Sequence, residues 1–86
     1  MADLKENLAK LNATFISINM LEEQMLALYR AQIDIWGDSM RSGMPVPMAL
    51  DGMRGASKVA SILGAVHEEN NKCIKSICEV IKELEE

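Results

Sequence analysis

The chain has 86 residues, of which 49% are hydrophobic and 26% are charged, and its 13 acidic and 9 basic side chains give a net charge of −4. This length allows one domain, and this composition is typical of a folded, soluble domain. An acidic chain without a cluster of Lys or Arg would be repelled by nucleic acid and by an anionic membrane surface, so we expect neither as a partner. No apolar run approaches the ~20 residues of a membrane-spanning helix. The first ten residues lack the order of a signal peptide, and we therefore expect a cytoplasmic location.

The first predicted helix covers residues 3–42. Asp3 and Glu6 have capping-box spacing ahead of an apolar pattern, which is a signal for a helix start. The apolar pattern then repeats in alternating steps of three and four, interrupted by Glu22 and Gln32, and this rhythm is typical of a helix seam. The apolar residues of this predicted seam are Leu4, Leu8, Leu11, Phe15, Ile18, Met25, Tyr29 and Trp36.

A proline loop at residues 43–47 separates this helix from a second one, predicted at residues 48–84. Its two prolines remove backbone donors and push each preceding residue out of the α region. Gly52 and Gly55 weaken the start of the second helix, so a short extra helix over residues 47–53 is an alternative. Further along, the rhythm of three and four returns. The apolar residues of the second predicted seam are Val59, Leu63, Val66, Cys73, Ile77, Val80 and Leu84.

Two long helices joined by a short loop fold back antiparallel, so we predict an all-α fold, a long helical hairpin in a single domain over residues 1–86. Each helix also carries apolar residues outside its predicted seam, and a pair of helices has one mutual interface. Burying a Leu or Ile side chain is worth roughly 1.5–3 kcal/mol. We therefore predict assembly, most simply a homodimer of hairpins in a four-helix bundle, or a complex with another protein that completes the same bundle.

The predicted oligomer interface lies outside the two predicted seams. It consists of Ile16, Met20, Leu21, Leu28, Ile35, Ile74, Cys78 and Ile81. Leu26, Ile33 and Ile62 also lie outside the predicted seams. Cys73 and Cys78 point about 140° apart on a helix, too far round for a disulfide within it, so we expect free thiols.

Small residues recur at steps of four near the start of the second helix. They are Gly52, Ala56, Ala60 and Gly64. Such a row makes a shallow groove that lets another helix approach closely. In an antiparallel hairpin the groove lies opposite residues 29–36, and two interpretations follow: the rings of Tyr29 and Trp36 fill it, or a partner helix does.

Little in the sequence predicts catalysis. His67 is the single histidine, and the motif His-Glu-Glu-Asn-Asn that it begins lacks the second histidine of a zinc-protease helix. Adjacent carboxylates on a helix point about 100° apart and cannot share a proton. We expect no catalytic residue, no metal and no cofactor. Glu22 falls on the predicted seam, where it would pair with Arg54 or Lys58 or specify the register of the helices.

Methionine is frequent around the loop, beside a tryptophan. Flexible thioethers next to an aromatic ring can adapt to a partner surface, although they can equally plug an irregular hairpin end. The predicted partner-binding residues at this tip are Trp36, Met40, Met44, Met48 and Met53.

These features favour a protein-interaction module, a homo-oligomeric helical bundle acting as an adaptor, an inhibitor, a small chaperone or an assembly subunit, with a phage or other mobile element as a candidate source. One alternative is a structural subunit of a larger helical assembly, because the helix–proline loop–helix plan resembles secretion needle subunits in architecture. Another is a small-ligand sequestering protein with pockets between protomers. The predicted pocket residues are Tyr29, Arg30, Arg54 and Lys58.

Overall fold

The computed structural model describes residues 3–85, and this part of the chain forms two long helices, α1 at Leu4–Arg41 and α2 at Val46–Glu85. The helices run antiparallel as a hairpin. Lys5 Nζ lies 3.3 Å from Glu85 Oε1 at the open end, and the ring of Trp36 lies against Gly52 near the loop. The predicted all-α hairpin is confirmed.

The ends of α1 follow from local hydrogen bonds. At its start the Asp3 side chain accepts a bond of 2.7 Å from the Glu6 backbone N–H, as the capping pattern predicts. At its end Gly43 adopts a φ of 108°, a left-handed conformation that glycine tolerates best. The Met44 N–H donates to Ser39 O at 2.9 Å and the Gly43 N–H donates to Met40 O at 3.3 Å. These two bonds form a Schellman motif, which stops the helix.

Helix α2 begins at Val46, two residues earlier than predicted, and runs without a break to Glu85. Pro47 lies in the first turn, where its missing N–H leaves no helical bond unmade. The alternative of a separate short helix over residues 47–53 is wrong, because α2 continues through both Gly52 and Gly55. Gly52 does not break the helix; its missing side chain leaves space for the ring of Trp36.

The residues between the two helices form an inner seam with a strict heptad spacing of three and four. On α1 its members are Leu8, Asn12, Phe15, Asn19, Glu22, Leu26, Tyr29, Ile33, Trp36 and Met40. On α2 they are Ala49, Met53, Ala56, Ala60, Leu63, His67, Asn70, Ile74, Ile77 and Ile81. All are buried or half-buried. A repeat of 3.5 residues keeps one face of each helix toward its neighbour along the whole length, as in a coiled coil.

The inner seam is rotated about its helix relative to the predicted one. Leu11, Ile18 and Met25 were expected in the seam, but they are 40–49% exposed. Asn12, Asn19 and Leu26 take their places, Ile33 takes that of Gln32, and Leu26 is buried. The same shift on α2 moves Val66, Cys73, Val80 and Leu84 to the surface, and brings Ala60, His67, Ile74 and Ile81 inward. Both registers share every second member, such as Phe15 and Glu22, and the predicted one has Leu11 and Ile18 where the structure has Asn12 and Asn19.

The hairpin is a thin rod with little interior. It measures 62 × 18 × 15 Å, and its Cα radius of gyration of 19.1 Å far exceeds the ~12 Å of a compact domain of this length. Among residues 3–85 the buried hydrophobic side chains are Leu26, Ala49 and Ala56. The accessible surface is 6273 Å², about a quarter more than the ~5,000 Å² of a compact monomer of this mass.

Gly52 gives a direct test of this packing. A Cβ at position 52 would overlap three carbons of the Trp36 ring. We expect Gly52→Ala to lower the free energy of unfolding by about 1–3 kcal/mol, because overpacking outweighs the gain in helix propensity. The measurement is urea denaturation followed by circular dichroism at matched protein concentration.

Gly64→Ala is the matched control. A Cβ at Gly64 meets nothing within 4 Å, so this change should raise the free energy of unfolding by about 0.5–1 kcal/mol. Equal stability of the Gly52→Ala variant and the unchanged chain would contradict the packing described here.

Candidate functional site

Large hydrophobic side chains lie on the surface along the whole rod. Within residues 3–85, nine are exposed on α1 and seven on α2. Those on α1 are Leu4, Leu11, Ile16, Ile18, Met20, Leu21, Met25, Leu28 and Ile35. Those on α2 are Val46, Met48, Leu50, Ile62, Val66, Val80 and Leu84. Scattered single residues of this kind are ordinary on protein surfaces, so their arrangement decides whether they matter.

Seven of the nine on α1 lie along one face of the helix, which we call the outer stripe. Its members are Leu4, Leu11, Ile18, Leu21, Met25, Leu28 and Ile35. They occupy a second heptad rhythm, whose remaining positions are the uncharged Asn7, Thr14 and Gln32. At 100° per residue the centre of the outer stripe lies about 110° round α1 from the inner seam. Helix α1 therefore has two packing faces, and α2 covers one of them.

The outer stripe continues onto α2. Trp36 reaches across to Gly52 on this side of the hairpin, and steps of seven from Gly52 mark a row on α2 that we call the α2 flank. Its members are Val59, Val66, Cys73 and Val80. Val66 is 43% exposed and Val80 40% exposed. In an antiparallel pair the equivalent flanking rows of the two helices lie on the same side, so the two rows form one apolar face.

Charge is distributed unevenly around the rod. Between residues 11 and 29 of α1 the charged residues are Glu22 and Glu23, and neither belongs to the outer stripe. Residues 67–85 of α2 carry eight charged side chains, all of them exposed. Lys72 is one of these: the hydrogen bond that it donates to Glu69, at 3.1 Å, raises its pKa, and the charges of Glu69 and Glu68 act in the same direction. The charged surface is thus the outer side of α2.

A polar cluster interrupts the inner seam at Glu22, which is 6% exposed. Asn70 Nδ2 donates to Glu22 Oε2 at 2.8 Å, and His67 Nδ1 lies 3.4 Å from Glu22 Oε1. His67 Nε2 lies 3.5 Å from Glu23 Oε1 on the side opposite to the α2 flank. The Oδ1 atom of Asn19 is buried without a hydrogen-bond partner. A buried carboxylate held by donors from the other helix favours a single alignment of the two helices.

The expected partners of Glu22 are corrected by this geometry. Arg54 Nη1 instead lies 3.8 Å from Asp51 Oδ1 on the same helix, and Lys58 lines a surface groove. His67 and Asn70 meet Glu22 because they lie on the inner face of α2 at its level, about three turns from Lys58. The spacing of His67 and Asn70 on the corrected seam would have revealed this pairing.

The predicted oligomer interface is divided by the structure. Leu21, Leu28 and Ile35 lie on the outer stripe, 59–69% exposed. Ile74 and Ile81 lie half-buried in the inner seam and not on an outer stripe of α2. Ile16, Met20 and Cys78 are exposed on other sides of the rod, and the thiol of Cys78 lies 3.6 Å from Asn12 Oδ1. Both cysteines are free.

The predicted partner-binding residues at the tip differ in their exposure. Four tip residues, Trp36, Met40, Met44 and Met53, are half-buried, while Met48 is 55% exposed. Trp36 Nε1 donates to Gln32 Oε1 at 3.2 Å. The row of small residues takes the Trp36 ring at Gly52, as the first of the two interpretations expects for Trp36.

The four predicted pocket residues do not come together within one hairpin. Arg54 and Lys58 line an open groove of about 680 Å³ on the side opposite to the α2 flank. Its other lining residues are Ile33, Leu50, Met53, Ser57, Ser61 and Ile62. Tyr29 lines a smaller groove of about 320 Å³ beside Met25 and Leu28 of the outer stripe. Arg30 is exposed and lines neither groove.

Neither helix of residues 3–85 combines the length and the apolar character needed to cross a membrane. In the same part of the chain, no three His, Cys, Asp or Glu side chains are grouped so that they could hold a metal ion. Comparisons with protein-family models, with curated proteins and with solved structures found no match.

The polar cluster can be tested by removing the donor and then the acceptor. Asn70→Leu leaves a buried carboxylate without its 2.8 Å donor, and we expect it to lower the free energy of unfolding by about 1–3 kcal/mol. Glu22→Leu combined with Asn70→Leu should recover at least this loss, because an apolar pair replaces a buried polar one. A double-mutant cycle in urea measures the coupling. Additive effects of the two substitutions would contradict the pairing.

Proposed function

We propose that this chain is a non-catalytic protein-interaction module that acts as a homo-oligomeric helical bundle, in the role of an adaptor, an inhibitor, a small chaperone or an assembly subunit. The observation that carries the proposal is the outer stripe, a heptad-spaced apolar face with no charged member and no covering element in residues 3–85. A heptad seam is the pattern with which helices recognise other helices.

Over residues 11–22 of α1 the outer stripe is more apolar than the inner seam that holds the hairpin together. The inner seam on α1 contains Asn12, Asn19 and Glu22, whereas the stripe has Leu11, Ile18 and Leu21 at comparable heights. Burial of a Leu or Ile side chain is worth roughly 1.5–3 kcal/mol, so a substantial hydrophobic gain is still available on the outside. The surplus of accessible surface over a compact monomer exceeds the ~800 Å² per partner of a standard interface. Both quantities support association.

The position of the polar cluster supports a structural rather than a catalytic role for its carboxylate. Glu22 lies within the inner seam and lines neither of the two grooves. A general acid or base must come within hydrogen-bond reach of a substrate. Here both carboxylate oxygens face His67 and Asn70 instead.

Self-association is tested by charging the outer stripe. Leu21→Glu places a carboxylate in the middle of the stripe, where burial would desolvate it, and we expect dimer affinity to fall at least tenfold, a loss of about 1.4 kcal/mol. Met20→Glu is the matched control, because Met20 is 57% exposed, compared with 59% for Leu21, and points away from the stripe. Sedimentation velocity at micromolar concentration measures both.

Three results separate the hypotheses. A closed oligomer that Leu21→Glu weakens and Met20→Glu leaves intact supports the proposal. Growth into open-ended assemblies favours the alternative of a filament subunit, because heterologous contacts do not close. A helical, stable monomer would contradict association altogether.

The groove at Arg54 and Lys58 favours a second candidate function, sequestration of a small amphiphilic anion. Ile33, Leu50 and Met53 supply apolar walls, and the two cations stand beside them. We expect decanoate to raise the melting temperature of the unchanged chain, because a ligand that binds the folded state stabilises it. Lys58→Ala should remove this shift and Lys75→Ala, distant from the groove, should retain it. A thermal-shift assay without any response in the unchanged chain would argue against this function.

A further inference from the structure

We infer that the occupant of the outer stripe is a second copy of this chain, docked antiparallel, with α1 against α1 and a two-fold axis at the level of residue 23. This inference rests on the proposed function and adds to it the face, the orientation and the register. The grounds are the symmetry of the stripe, the matching symmetry of α2 and the angle between the two packing faces.

Between residues 11 and 35 the outer stripe reads the same in both directions from position 23. Antiparallel helices related by a two-fold axis bring each residue opposite its mirror position on the other copy. The mirror pairs are Leu21 with Met25, Ile18 with Leu28, Thr14 with Gln32, and Leu11 with Ile35. Over residues 11–35 every apolar residue of the stripe thus meets an apolar residue, and Thr14 meets Gln32, while Leu4 lies beyond this symmetric part. A shift by one heptad would place Thr14 opposite Met25 instead.

The α2 flank has the same centre. Glu22 contacts His67 and Asn70, and Asn12 contacts Cys78, so the hairpin places residue 23 of α1 level with about residue 67 of α2. On the flank, Val59 and Cys73 lie symmetrically about Val66. A single two-fold axis perpendicular to the rod can therefore pass through the centres of both the outer stripe and the α2 flank. A parallel dimer, whose axis runs along the rod, requires no such centre.

The geometry of α1 fits a corner of a four-helix bundle. Its inner seam and outer stripe are separated by about 110°, close to the right angle between the two neighbours of a helix at such a corner. In the proposed dimer each helix is antiparallel to both neighbours, so the helix dipoles oppose one another. Next to the stripe, on the side away from α2, α1 presents the uncharged Ser17, Gln24 and Ala31. No like charges are brought together at the centre of this contact.

The test is disulfide cross-linking in a background where both native cysteines are replaced, Cys73→Ser and Cys78→Ser. Two single variants are made, Ile18→Cys and Leu28→Cys, and each is oxidised alone and then mixed with the other. In the proposed dimer, residue 18 lies opposite residue 28 of the second copy. The two copies of residue 18 are about 15 Å apart along the axis, beyond the ~7 Å between Cα atoms that a disulfide spans.

We expect cross-linked dimer in the mixture and none in either variant alone. The matched control is the pair Ile16→Cys and Arg30→Cys, which is also symmetric about position 23 but lies off the stripe on the opposite side of the rod. That mixture should remain uncross-linked. Sedimentation of the reduced variants shows whether each still associates.

The failures are distinguishable. Disulfides within each single variant would show a parallel dimer, and a dimer without any of these disulfides would show a different face. Either result overturns this inference and leaves the proposed function standing. If the unchanged chain and the reduced variants were all monomeric, both this inference and the proposed function would be overturned.

Discussion

The structure depends on one helix, α1, that has two packing faces. Helix α1 carries an inner seam and an outer stripe about 110° apart, and within residues 3–85 only α2 is present to cover one of them. A rod 15–18 Å across has no interior in which a second face could be hidden. The exposed stripe is therefore not an accident of a few side chains but a consequence of folding this sequence as a hairpin.

The choice of face is informative, because over residues 11–22 of α1 the hairpin buries the less apolar face. Glu22, His67 and Asn70 meet inside the inner seam, where Asn19 also lies, and such groups contribute less to stability than to selecting one alignment. The outer stripe has no such restriction, so it can provide hydrophobic energy to an assembly. Stability of the folded chain would then depend on protein concentration, as it does for proteins whose partner binds only the folded state.

At the loop end, one glycine is explained by local backbone conformation and another by a tertiary contact. Gly43 ends α1 through its backbone conformation, which a glycine followed closely by a proline announces in the sequence. Gly52 has a different purpose, because it lets the Trp36 ring approach α2 closely. From sequence, both glycines indicate a break. The position of the opposing ring is what separates them.

The sequence by itself determined the hairpin. Capping at Asp3, the stop at Gly43, and three-four periodicity on both sides of the prolines depend on neighbours within a few residues. The sequence also determined that apolar residues outnumber the places in one seam. It did not determine which face of each helix turned inward, because two heptad registers share Leu8, Phe15 and Glu22 and differ by a rotation of the helix. Only the tertiary structure decided between them. The decision depends on residues distant in sequence: His67 contacts Glu22, Asn70 donates to it, and Gly52 of α2 admits the ring of Trp36.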